Sequence, residues 1–466
     1  MARHVGRGEL KLEAAVIRFG LPARLPAPGE RRRKEAAIPR SRARTPGTAL
    51  AGWFAVAAPG LEEAVAAEVA ALPGVTGVAR VVGGVAFSGP LETGMSANLT
   101  LRVATRVLLR LGEVEARTFP ELRRRLRALP WRETLVAASG LRVEAAASRC
   151  RLYHTGALAE TMTLAIGDHL GSVARSAPAR GGEQPPAQAG RATEAASADG
   201  NADTDPDADN AARVFIRGRD DRFTISVDSS GELLHRRGWR VETGQAPLRE
   251  TLAAGLLWLA GYDPAVPFVD PMCGAGTIAL EACARALGVA PGLARSFAFE
   301  RWPIFDPATW DRLRDQALAA IRSAPPAAVF AFDRDPEAVE ITRRNAARAG
   351  LLPHLTVEQV ALGERRAPEE RGLLVVNPPY GRRLPGAGIA RDLRRALHAD
   401  YAGWRVAMLA PPGRAVQTIG VRSAVSHRLS NGGVRVELAI AELPARRTEG
   451  SSSTPASALA RPSRGG

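Results

Sequence analysis

Lysine is almost missing from this 466-residue chain: of 63 basic residues only Lys11 and Lys34 are not arginine. Cysteine is scarce too. Cys150, Cys273 and Cys283 form no C-x-x-C pair and have no histidine cluster beside them, which excludes a disulfide framework and a structural zinc site. No metal is expected, and a reducing cytoplasm fits. No apolar run approaches the roughly 18 residues that span a bilayer, so no membrane partner is expected. The first fifty residues lack the apolar stretch of a secretory signal. They are arginine-rich, as transit peptides are, but Glu9, Glu13, Glu30 and Glu35 argue against that reading.

What is abundant is positive charge, +15 from 63 basic and 48 acidic residues. Such a balance favours polyanions through counterion release, nucleic acid first among them. Arginine with abundant alanine is also what GC-rich coding gives, so charge alone leaves both explanations open.

Composition divides the chain. Residues 1–50 are basic and aperiodic and read as a disordered tail. From Trp53 the pattern gives a strand, a turn at Pro59-Gly60, a helix and a glycine-broken strand pair, a small β-α-β-β unit over 51–94. Residues 95–230 form a second unit, with an arginine-faced helix at "FPELRRRLRALPW", a strand at "LRVEAAAS" and a helix ending at Gly171. Residues 175–212, mostly alanine, glycine, proline and small polar groups, cannot build a core and read as a disordered insertion. The segment 231–443 is a connector followed by a βαβα rhythm. Its apolar strands, "PFVDP", "AVFAFD", "LTVEQVAL", "LLVVNPP" and "WRVAMLAP", predict an α/β, doubly wound parallel sheet covered on both faces. Residues 444–466 read as a second disordered tail.

Two strand ends carry the chemistry. In "PFVDPMCGAGTIALEA" a strand ends at Asp270 and the loop Met272, Cys273, Gly274, Ala275, Gly276, Thr277 turns into a helix. Glycines there let backbone N–H groups approach a ligand. The spacing Gly274-x-Gly276-x-x-Ala279 also satisfies a dinucleotide fingerprint. The acid that would bind a dinucleotide ribose belongs about 20 residues on, whereas Asp333 follows Gly276 by 57. S-adenosylmethionine fits better: Asp270 and the loop suit an amino-acid moiety, and Asp333 suits ribose hydroxyls. Asp335, directly before Pro336, is the better helix cap and leaves Asp333 for ligand.

The second strand ends in "LLVVNPPYGRRL". An amino nitrogen conjugated to a ring is a poor nucleophile because its lone pair is delocalised. The Asn377 side-chain carbonyl and the Pro378 main-chain carbonyl could accept its two N–H groups and hold them out of plane. Pro378 and Pro379 stiffen that backbone and bring no competing donor. Tyr380 offers a face for a flipped base. Most of the gain would be positioning, and no histidine or cysteine nucleophile is required.

Taken together, "DPMCGAGT", "APGLARSFAFERWPIF", "FDRDPEAVEITRRNAARAG", "NPPYGRRL" and the preceding "LLHRRGWR" and "APLRETLAAGLL" resemble bacterial large-subunit (23S) rRNA guanine-N2 methyltransferases carrying a THUMP domain. The resemblance covers roughly 53–443. It implies a ferredoxin-like extension over 51–94, a THUMP RNA-binding domain over 95–230 and a class I methyltransferase fold after it. It places Asp270, Gly274, Gly276 and Thr277 at the methionine end of S-adenosylmethionine, Asp333 at the ribose, and Asn377, Pro378, Pro379 and Tyr380 at the target base. "PLRET", 247–251, corresponds to the helix that closes over the cofactor. Family members usually carry an acid after the third strand; here Ala361 occupies that place, with Glu358 or Glu364 as substitutes.

Arginine forks match phosphate oxygens. Candidate RNA contacts are Arg149 and Arg151, then Arg236, Arg237 and Arg240 in the connector, and Arg382 and Arg383 beside the Asn-Pro-Pro-Tyr motif. The expected activity is methylation of guanine N2 in structured RNA, large-subunit rRNA first and tRNA as the alternative. DNA adenine-N6 and protein glutamine-N5 methylation share the motif but leave the front units unexplained. Intact Asp270, Asp333 and Asn377 argue against an RNA-binding assembly factor with a dead site, while Ala361 keeps that alternative open.

Overall fold

A computed structural model describes residues 51–136, 140–171, 174–175, 211–239, 248–379, 387–421 and 424–445. Both expected tails and the insertion lie almost wholly outside them. Among the described residues no helix is long and apolar enough to cross a membrane.

The first unit is β1 (Ala51–Val56), α1 (Glu62–Ala70), β2 (Thr76–Val81), β3 (Gly84–Gly89), α2 (Leu91–Thr100) and β4 (Arg106–Glu115). Its strands are ordered β2-β3-β1-β4, the ferredoxin-like βαββαβ arrangement. Helix α2 runs across residue 94, so the unit closes only with β4.

Strand β4 is also the first strand of the next unit. It pairs with β1 on one edge and with residues 222–228 on the other. The second unit adds α3 (Phe119–Arg127), α4 (Trp131–Thr134), β5 (Gly140–Ser148), α5 (Thr155–Leu170), β6 (Ala174–Arg175), β7 (Ala212–Arg219) and β8 (Arg222–Asp228). One eight-stranded sheet, β2-β3-β1-β4-β8-β7-β5-β6, therefore runs through both. Helix α3 is started by Thr118, whose hydroxyl accepts from Glu121 N, and it buries only Leu122 and Leu126. Its arginines face outward.

The last unit comprises α6 (Glu250–Leu259), β9 (Phe268–Asp270), α7 (Thr277–Leu287), α8 (Pro307–Ala319), β10 (Val329–Asp333), α9 (Pro336–Arg348), β11 (Thr356–Gln359), β12 (Leu373–Val376), α10 (Ala387–Asp400), β13 (Arg405–Ala410), α11 (Arg414–Ile419), β14 (Val425–Asn431) and β15 (Val434–Glu442). The sheet order is β11-β10-β9-β12-β13-β15-β14. Pairing is parallel from β11 to β13 and antiparallel through β15 and β14. The apolar runs read as strands are these parallel strands, covered on both faces as expected for such a sheet.

Connector and front units are bonded tightly to this sheet unit. Trp53 stacks on Trp302 with ring centroids 6.5 Å apart. Arg295 donates to the carbonyls of Ser230, Glu232, Leu233 and Arg236, and burial lowers its guanidinium to about 10. Arg106 and Asp228 form a buried pair at the end of β8.

Candidate active site

Strand order reverses between β10-β9 and β9-β12, and ligands of doubly wound sheets bind outside the carboxyl ends of the strands at that point. Asp270 ends β9 and pairs with Ala331 of β10. Asp333 therefore lies two residues further along, roughly 6–7 Å at strand rise. The β9–β12 register, Leu374 opposite Val269, places Asn377 at the same height on the other side. The crevice thus has a carboxylate at its floor, another on one wall and an amide on the other.

The glycine loop is held by hydrogen bonds at several points. Gly276 N donates to Cys273 O at 2.7 Å, closing the turn. Gly276 has φ 84°, and a Cβ there would meet Thr342 Cγ2 at 2.8 Å, so only glycine is accommodated. A Cβ at Gly274 would meet nothing within 4 Å, because that residue borders open space. Thr342 Oγ1 donates to Gly274 O (2.8 Å) and Asn345 Nδ2 to Ala275 O (3.1 Å). Both side chains come from the inner face of α9 and tie down the loop carbonyls. Sequence reasoning missed them; their signal was two polar residues three apart on the same helix face as buried Val339 and Ala346.

Asp333 is less free than expected. Its Oδ2 accepts from Gly274 N (2.9 Å) and its Oδ1 from Asp335 N (3.1 Å). Asp335 caps α9 by accepting from Glu337 N, as its position before Pro336 predicts. The Asp270 carboxyl is 1% exposed. Burial, with the Asp333 charge adding to it, pushes that group up to about 8.

Asn377 Oδ1 is buried and accepts no hydrogen bond among the described residues. Its neighbours Pro378 and Pro379 grade outward, half-buried then exposed. Tyr380, Arg382, Arg383, Arg240 and Pro247 lie outside the described residues. Met272 is half-buried and packs on the sheet core, while Ala275 is half-buried in the loop. Thr277 opens α7 and is buried. The Cys273 side chain turns away from the crevice towards Thr342 Oγ1 at 3.5 Å, and burial raises its thiol well above the ordinary range.

Near Ala361, Glu364 Oε2 accepts from Ala361 N (3.2 Å) and closes a local turn. Glu358 pairs with Arg365, whose guanidinium lies 4.9 Å from the centre of the Phe332 ring. Both candidate substitutes for the third-strand acid are therefore already engaged.

One expectation is corrected. Arg237 was expected to contact RNA, but it is 2% exposed. Its Nε donates to Glu281 Oε1 (3.0 Å), and its terminal nitrogens donate to Leu234 O (2.8 Å) and Arg102 O (2.6 Å). It holds the chain together internally. Arg236 is exposed and paired with Glu232. Arg149 and Arg151 are exposed and lie beside Asp220 and Asp221.

A doubly wound sheet with a carboxylate-floored crevice at its switch point, a glycine loop and a strand-terminal Asn-Pro-Pro defines a methyltransferase-type fold. Comparison with known proteins takes this to a family. The RMKL-like methyltransferase domain matches residues 237–435 and the RlmL ferredoxin-like domain residues 53–108. The ribosomal RNA large subunit methyltransferase K/L of Magnetococcus marinus is 35% identical over 372 residues, covering 77% of this chain and 48% of that protein. The putative RNA methyltransferase slr0064 of Synechocystis sp. is 30% identical over 396 residues, 84% of this chain and 96% of that protein. A crystal structure of SMU.472, a putative methyltransferase complexed with SAH, superposes with a TM-score of 0.69 at 27% identity, covering 86% of this chain and 99% of that one. The chain belongs to the RMKL-like methyltransferase family. It spans about half the length of the K/L relatives it matches.

Proposed function

We propose that this chain methylates the exocyclic N2 of a guanine in large-subunit rRNA, using S-adenosylmethionine, in the cytoplasm. The observation that carries the reading is the buried Oδ1 of Asn377, without a partner among the described residues, at the switch point, level with Asp333 and beside Asp270. A buried acceptor without a donor costs stability, so its retention there argues for a ligand N–H. The large-subunit rRNA methyltransferases among the relatives favour RNA over the DNA and glutamine alternatives that share the motif.

The residues fit the cofactor. Open space beside Gly274 and the buried Asp270 suit an amino-acid moiety, with Asp333 next to the loop for the ribose. When bound, the cofactor supplies an electrophilic methyl sulfonium. Asn377 Oδ1 and Pro378 O accept the two N–H bonds of the target amino group and turn its lone pair out of conjugation. Pro378 and Pro379 add no N–H that would compete. Tyr380 stacks on the base. In this reading Arg382 and Arg383 hold the adjoining phosphates.

Asp270 gives the reading a pH signature. Its folded value of about 8 lies above the ordinary 3.9 of aspartate, so folding favours the protonated form. That contribution to stability is full below about pH 4 and is lost as pH rises to about 8. An ammonium beside Asp270 favours the carboxylate instead, so binding at pH 7 expels a proton. Calorimetric titration with S-adenosylmethionine in buffers of different ionisation enthalpy should show proton release at pH 7 that disappears in Asp270→Asn. Equal release in both proteins would remove Asp270 from the ammonium site.

The activity itself is tested by nucleoside mass spectrometry of rRNA and tRNA from a strain lacking the gene. Loss of one N2-methylguanosine from large-subunit rRNA is expected. Loss from tRNA would move the substrate, and no change in either pool would reject RNA methylation.

A further inference from the structure

Alternation along the strands of the eight-stranded sheet sends Trp53, Ala55, Val107, Leu109, Val214 and Ile216 into the core shared with the helices. Phe54, Val56, Leu108 and Phe215 point to the opposite face. They form a separate apolar cluster, joined among the described residues only by Ala86. It crosses the seam between the front units, from β1 over the shared β4 to β7. A sheet covered on one side normally leaves its other face polar and solvated. These four side chains are instead 1–7% exposed, so the face has a cover, and no described helix contributes to the cluster.

The groove around the cluster is basic. Arg106, Arg110 and Arg217 line it, together with Thr224 and Ser226 and no acid; Arg106 is paired with Asp228 at the end of β8. The Arg110 guanidinium lies 4.5 Å from the centre of the Phe54 ring, and that of Arg217 5.3 Å from the centre of the Phe215 ring. A guanidinium stacked on a ring keeps its N–H fork at the edge, where a carboxylate can meet it. The face therefore suits an apolar element that carries acids among its apolar residues.

We propose that the occupant is this chain's own segment 9–19, lying across the face as an amphipathic helix that seals β1, β4, β8 and β7 together; the inference does not depend on the methylation chemistry. The tail 1–50 is basic and aperiodic over its length, but it contains the short stretch "ELKLEAAVIRF". At 100° per residue, Leu12, Val16 and Phe19 lie on one flank of a helix and Leu10 and Ile17 on the other. Glu9 and Glu13 fall between them, while Lys11 and Arg18 take the opposite side. The acids thus share the apolar half, as the arginine-lined groove requires. Other segments outside the described residues do not match: 176–210 has no Leu, Ile, Val or Phe, and 446–466 has Leu459 alone. Residues 20–50 join the segment to β1, the strand that carries Phe54 and Val56. A flexible chain of that length spans roughly 30 Å, against roughly 15 Å from β1 to β7 at the spacing of neighbouring strands. The tether therefore keeps the segment at the face at roughly millimolar effective concentration. A helix this short is marginal alone, so it orders as it docks.

Hydrogen exchange of the full chain, read by mass spectrometry, tests this. Amides of residues 10–19 should exchange at least about tenfold more slowly than those of 35–50, because protection at this length requires docking. Val16→Asp with Ile17→Asp should abolish the difference. Glu9→Arg with Glu13→Arg should abolish it too, and adding Arg110→Glu and Arg217→Glu to that chain should bring it back. Equal exchange of the two stretches in wild type overturns the proposal. Protection that survives Val16→Asp with Ile17→Asp also overturns it. Protection that falls on dilution, with a dimer mass in light scattering, would put the segment on a second copy and overturn the occupant named here.

Discussion

Asn377→Ala is expected to reduce methyl transfer by roughly 100- to 1000-fold, the loss typical when one preorganised hydrogen-bonding group is removed from a reacting centre. Affinity for S-adenosylmethionine should stay nearly constant, because the glycine loop and Asp270 belong to a different strand end. Stability should also hold. The Asn377 carbonyl has no partner among the described residues, so its truncation breaks no carbonyl hydrogen bond there. Single-turnover kinetics with saturating RNA, beside calorimetric cofactor binding, separates these quantities. A rate within about threefold of wild type would mean that the amide does not hold the amino group, since even a modest hydrogen bond of about 1 kcal/mol is worth more.

The catalytic sheet was legible because fully buried parallel strands leave a distinctive trace: "FVD", "VFAFD" and "LLVV" are short apolar runs that stop on polar residues. Those stops are where side chains meet the crevice, so strand ends and candidate site appeared together. The helix-capping argument at Asp335 succeeded for the same local reason. What that argument could not show is that Asp333 also accepts from Gly274 N, because this donor comes from 59 residues away. Thr342 and Asn345 escaped notice because their targets are loop carbonyls rather than side chains.

Arg237 shows the same limit from the opposite direction. In a chain with so many arginines, one that is buried looks like one on the surface. Only its acid partner, 44 residues on in α7, distinguishes it. The two front units likewise look separate in composition, yet β4 serves both through its two edges. Pairing partners across a sheet leave no local signature.

That buried arginine sets the largest expected effect on stability. Glu281, 2% exposed on α7, accepts from Arg237 at 3.0 Å and faces Arg102 at 3.7 Å. Arg102 N and Val103 N in turn donate to Glu68 Oε2 of α1, at 3.1 and 3.0 Å. Burial lowers the Arg102 guanidinium and raises the Glu68 carboxyl, with the opposite charges resisting both shifts. Two acids and two arginines thus tie the front units, the connector and the helix that follows the glycine loop. Glu281→Ala would leave both arginines buried beside one remaining acid, and breaking a buried pair in this way costs about 3–5 kcal/mol. At about 2–4 °C per kcal/mol for a domain of this size, the melting temperature should fall by roughly 6–20 °C. Replacing Glu281 by Leu together with Arg237 by Met should cost less than the single change, because only Arg102, which keeps Glu68 nearby, then loses an acid. Calorimetric melting of both variants decides it: a single substitution that shifts the transition by less than about 2 °C would show that the apolar contacts around Trp53 and Trp302 hold the units together without the charges.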